Sequence, residues 1–150
     1  MKLTLYSDYS LRVLIYLGLR RDARATITDI ADSYGISRHH IVKIVHKLGQ
    51  LGYVETVRGK NGGLYLARDP RTIVVGEVLR HTEPNLNLVE CFDDPGACVL
   101  TSACTLRSAL DEALTAFLDV LDDYTLADLL EPRRPLSRRL FARLEPAGGD

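Results

Sequence analysis

No apolar run in this chain is long enough to span a bilayer, which takes about 20 residues. The only candidate, Leu11–Leu19, is broken by Arg12 and has no basic run before it. Arg20, Arg21 and Asp22 follow it, where a leader peptide carries small residues at its cleavage point. A cytoplasmic protein without a membrane partner is therefore expected. Biased tracts are missing too; 46% hydrophobic and 26% charged residues make an ordinary globular composition. A strand–turn–helix nucleophile elbow is also absent, so a cysteine nucleophile paired with His81 or Glu90 has no supporting frame, and a non-enzymatic role is expected. The run Gly59-Lys60-Asn61-Gly62-Gly63 lacks the G-x-x-x-x-G-K-S/T spacing of a phosphate loop.

What is present divides by charge. Residues 1–68 hold 11 Lys/Arg against 5 Asp/Glu, a balance of +6, and residues 69–150 hold 8 against 15, a balance of −7. A basic half beside an acidic half suggests a polyanion-binding module joined to a unit with another task.

Ser7 and Asp8 read as the start of a first helix over about 8–21, apolar almost all round and so buried on several sides. Thr26 caps a short helix ended by Gly35, and Ser37 caps another over about 37–51. In the latter, Ile41, Ile44, Val45 and Leu48 form one stripe. Two helices joined by a short turn containing Gly make a helix-turn-helix. Residues 53–57 and 64–66 then read as two strands around the basic, glycine-rich tip 58–63. A further helix spans about 74–82, the segment 84–100 reads as a loop, and a long helix runs from Ser102 to about Asp123.

Opposite the apolar stripe, His39, Lys43, His46 and Gln50 recur at helical spacing, flanked by Arg38, His40 and Lys47. That is the face a recognition helix lays in a major groove, with Arg38 and His39 placed for bases and Lys43 and Lys47 for phosphates. Thr28 and Ser37 join the DNA-contacting set, and Arg58 and Lys60 on the hairpin tip reach the adjacent backbone or minor groove.

The three cysteines all lie between positions 91 and 104, as Cys91-x6-Cys98-x5-Cys104. There is no Cys-x2-Cys pair of the kind zinc ribbons use. Spaced thiolates on one loop suit an iron–sulfur cluster, although a zinc site and a metal-free thiol sensor stay open. Three thiolates leave one iron short of a protein ligand, and either a 4Fe–4S or a 2Fe–2S centre fits that count.

The segments Leu5–Arg12, Val57–Gly63, Cys98–Cys104 and Tyr124–Leu129 resemble the nitric-oxide-sensing branch of a family of winged-helix iron–sulfur regulators that also includes IscR. The likeness covers roughly residues 1–132. It implies a homodimer, a palindromic double-stranded operator, and repression relieved when nitric oxide attacks the cluster. It also places Cys91, Cys98 and Cys104 at the family's ligand positions. Asp8 falls where some members supply a carboxylate as fourth ligand, which inclines the reading toward 4Fe–4S; simple helix capping is its other reading. Two features depart from the pattern: Arg107 stands where IscR-type members place a His ligand, and the gap between the first two cysteines is long. IscR-like control of cluster biogenesis or oxidative stress is thus the less favoured branch.

The expected fold class is mostly α. A winged helix-turn-helix domain with a two-stranded wing occupies 1–82, followed by a cluster-binding loop over 83–101. A long dimerisation helix and a short C-terminal helix fill 102–132, and 133–150 reads as a loosely ordered tail.

Overall fold

Helix α1, Leu5–Leu19, begins one turn earlier than Ser7 and Asp8 suggest. The computed structural model describes residues 1–144, and in it Thr4 is the cap, its hydroxyl accepting from the Ser7 amide at 3.2 Å. Glu83 decides the matter from 79 residues away: its carboxylate accepts from both the amide and the hydroxyl of Thr4, at 2.8 and 3.0 Å. Ser7 is consequently buried within the helix.

The helix-turn-helix follows as its sequence dictates. Thr26 and Asp29 form a reciprocal capping box at the start of α2, Ile27–Tyr34. Gly35 closes that helix with φ at +65°, a left-handed turn that costs glycine little. Ser37 caps α3, Arg38–Gln50, by accepting from the His40 amide at 3.3 Å. Strands β1, Val54–Val57, and β2, Gly63–Leu66, pair antiparallel with Val54 opposite Leu66 and Val57 opposite Gly63. At the hairpin tip a side chain at Gly62 would collide with the Val57 carbonyl. Val13, Leu14, Tyr16 and Leu17 of α1 form the centre of one core with Ile30, Ile41, Ile44, Leu48, Tyr53 and Leu64. Burial of that size supplies most of the driving force for folding.

Helix α4, Val75–Thr82, packs between α1 and the long helix α6, Thr105–Asp122. Arg80 grips Asp122 with two nitrogens, both at 2.7 Å, and holds its carboxyl below the usual carboxylate range. Gly76 leaves the room, since a Cβ there would collide with that carboxylate. The chain between α4 and α6 contains α5, Glu90–Asp93, and a 3-10 turn over Thr101–Ala103. After α6 comes α7, Leu126–Leu129, which returns Leu126 and Leu130 to the core. None of the eighteen residues of α6 is buried, and Leu106 and Val120 are 66% and 58% exposed. No helix among the described residues is long and apolar enough to cross a membrane.

The tail differs from its expectation. Residues Arg133–Phe141 form helix α8, held to the end of α1. Arg133 donates to the Gly18 and Leu19 carbonyls, Phe141 sets its edge on Tyr16 with ring centroids 5.3 Å apart, and Arg20 lies over Phe141. The expectation for 145–150 falls outside the described residues. Arg133→Ala removes charged hydrogen bonds to carbonyls that end a buried helix. It is expected to cost about 1.5–3 kcal/mol, read as a lower denaturant midpoint with faster amide exchange in 133–141.

Candidate functional site

The outward face of α3 carries the residues the sequence assigns to it. Arg38, His39, His40, Lys43, His46, Lys47 and Gln50 are all exposed, while Ile41, Ile44, Val45 and Leu48 point inward. Thr28 is exposed near the start of α2, and Arg58 and Lys60 are exposed in the hairpin turn. Ser37 is exposed as well, with its hydroxyl engaged in the cap. Among the described residues, Arg38, Lys43, Lys47, Arg58 and Lys60 form no ion pair, so their charges are uncompensated. The Gln50 amide lies within hydrogen-bond distance of the His46 Nε2, at 3.2 Å. Val42 is one residue the pattern conceals. It is half exposed on this face, three residues after His39, where an apolar side chain can meet a thymine methyl.

The helix is aimed by α1. Tyr9 packs against His40 with ring centroids 6.2 Å apart, and the Tyr34 hydroxyl of α2 donates to the Arg12 carbonyl at 2.8 Å. Burial pushes the Tyr34 phenol well above its ordinary range, which keeps that donor protonated. Through these contacts α1 touches both helices of the helix-turn-helix.

Cys91, Cys98 and Cys104 are free thiols, Cys98 exposed and the other two half-buried. Cys91 lies in α5, and Cys104 caps α6, its sulfur accepting from the Arg107 amide at 3.4 Å. The long helix consequently starts at Thr105 instead of Ser102. Between the cysteines the loop is tied by its own bonds: the Gly96 amide donates to Asp94, and Thr101 donates to the Cys98 carbonyl from both its amide and its hydroxyl. Arg107 also reaches the Cys91 carbonyl with Nε, at 3.4 Å, and lies over the Phe92 ring. No three potential ligands converge into a metal-binding group among the described residues. Asp8, on α1, is not a cap: its carboxylate takes two hydrogen bonds from Arg12, at 3.0 and 2.8 Å. The candidate ligands are therefore spread over α1, α5 and the segment that leads into α6.

By donor type alone, the set is of the kind an iron–sulfur cluster takes. Three free thiols, all soft donors, sit on one solvent-reachable segment; the N-terminus of α6 meets the Cys104 sulfur and Arg107 reaches the Cys91 carbonyl.

A winged helix-turn-helix with an unpaired basic reading face defines a DNA-binding transcription regulator. The comparisons with known proteins sharpen this: residues 3–132 match the Rrf2 family, described as iron-dependent transcriptional regulators, and the chain belongs to that family. It is 57% identical over 145 residues to the HTH-type transcriptional regulator NsrR of Geobacillus kaustophilus, covering 95% of this chain and 99% of that one. The Bacillus subtilis NsrR is 50% identical over 142 residues, covering 93% and 97%. Among solved structures, T. potens IscR superposes with a TM-score of 0.73 at 25% identity, over 99% of this chain and 94% of that one. The B. subtilis global cysteine regulator CymR superposes with a TM-score of 0.71 at 27% identity, over 86% and 95%.

Proposed function

We propose that this chain is a non-enzymatic cytoplasmic repressor that binds a palindromic operator as a homodimer and releases it when nitric oxide damages an iron–sulfur cluster held by Cys91, Cys98 and Cys104. The observation that carries the reading is the place of those thiols. They lie between the helix-turn-helix module and a long helix none of whose residues is fully buried in this subunit. The likeness to NsrR proteins supports nitric oxide as the signal. A second copy fits α6, whose exposed Leu106 and Val120 need an apolar partner. When bound, the cluster supplies iron that nitric oxide attacks; three thiolates and one carboxylate would serve 4Fe–4S or 2Fe–2S, and 4Fe–4S is preferred because Asp8 falls where some members of the family supply a carboxylate ligand.

Asp8 is the candidate for that fourth donor. A carboxylate is a harder ligand than thiolate and holds cluster iron less firmly. Its present partner is Arg12, so ligation exchanges a guanidinium for iron. Arg12 in turn lies over the Tyr9 and Tyr34 rings, next to α3 and within α2. Asp8 is thus one helical turn from the contacts that set the two reading helices, and a change of its partner can alter their pose.

Anaerobic purification with iron and sulfide counts tests the reading. A brown dimer with bound iron and inorganic sulfide is expected. A colourless, iron-free protein that still binds its operator tightly would refute the cluster and leave a thiol or zinc sensor. Asp8→Ala is expected to retain some cluster and to alter its reaction with nitric oxide; unchanged stopped-flow kinetics would remove Asp8 from the ligand set.

A further inference from the structure

Arg107 lies in the first turn of α6, three residues after Cys104, and makes three contacts that converge on the cysteine segment. Its amide donates to the Cys104 sulfur, its Nε reaches the Cys91 carbonyl, and its guanidinium covers the Phe92 ring at 5.6 Å. Each is weak alone, since the Nε contact of 3.4 Å is long for a hydrogen bond. Together they join α5 and α6, which residues 94–104 separate along the chain. Arg107 is a half-buried residue, and among the described residues no carboxylate pairs with it. A half-exposed positive charge on the segment that carries the cysteines has no anion paired with it, and a thiolate-ligated inorganic centre is anionic. Arginine does not give up its proton in proteins, so the side chain cannot itself become a ligand.

We propose that Arg107 is a positioning residue for the cysteine donors. It clasps the helix carrying Cys91 to the N-terminus of α6 and supplies the counter-charge for the centre they hold. This rests on the cluster reading above. Outer groups that orient metal ligands are worth about 10- to 100-fold in metal retention when removed.

The test uses full-length protein as wild type, Arg107→Gln and Arg107→Lys, each checked for fold by circular dichroism. In the metal-free state, Arg107→Gln is expected to speed amide exchange in residues 90–94 several-fold while the α1–α3 amides are unchanged. After anaerobic loading with ferrous iron and sulfide, its visible absorbance should decay into EDTA about 10- to 100-fold faster than wild type. Arg107→Lys, which keeps the charge and loses the fork, should fall between. Equal exchange and equal decay in Arg107→Gln and a loaded wild type would overturn the proposal while sparing the cluster. A wild type that takes up no iron and sulfide would overturn the cluster reading, and the purpose assigned to Arg107 with it.

Discussion

Cys98→Ser is expected to abolish the visible absorption of the anaerobically purified protein and to lower operator affinity about 5- to 150-fold, with the dimer intact. That range corresponds to a coupling of about 1–3 kcal/mol between two sites. Cys98 is the cysteine to change because its sulfur does nothing for the fold. It is exposed, its carbonyl and not its side chain accepts from Thr101, and it lies outside every helix. Cys104 is a poorer choice, since its sulfur caps α6 and a substitution there also alters the helix start. Cys91 is half-buried within α5, where a substitution also acts on that short helix. A Cys98→Ser protein that keeps tight, sequence-specific binding would refute control of DNA affinity by a cluster. Far-ultraviolet circular dichroism and the elution volume of the dimer separate that outcome from simple misfolding.

The reading pair is legible in the sequence because its signals are local. Thr26 and Asp29 cap across three residues, Gly35 needs only its own φ, and the stripe from Ile41 to Leu48 fits within about two turns. The strand bounds agree to within a single residue for the same reason. What the sequence conceals depends on partners far along the chain. Ser7 has the better local claim to cap α1, yet Glu83 anchors Thr4 and the helix starts there. Helix α8 reads as a loose arginine-rich tail because the carbonyls that receive Arg133 belong to residues more than a hundred positions earlier. Cys104 gives no capping signal, since cysteine is not among the residue types that mark helix starts. Val42 reads as core by type and points outward. The three thiols stand together in the sequence, whereas their distribution over separate elements is visible only in three dimensions.

Arg38→Ala and Lys47→Ala should separate sequence reading from simple attraction to phosphate. Arg38 is the first residue of α3, next to the Ser37 cap, and the N-terminal end of a recognition helix is the end that meets base edges. Removing a bidentate pair of hydrogen bonds to guanine costs about 1–3 kcal/mol of discrimination, and in the proposed symmetric dimer both half-sites would be affected. Operator affinity should therefore fall by at least about tenfold, whereas binding to scrambled DNA of equal length should change little. Lys47 lies more than two turns further along and nearer the helix end, where binding to a phosphate is the expected use. Its removal should weaken operator and scrambled DNA alike and flatten the slope of log affinity against log salt by about 0.9 for each phosphate left without its lysine. Neither residue has an ion-pair partner among the described residues, so alanine leaves no orphaned carboxylate to lower stability. The affinity change can thus be assigned to DNA. An Arg38→Ala protein that loses operator and scrambled binding in equal measure would mean that this helix end does not read bases, and the base-reading face would have to be sought around His46 and Gln50.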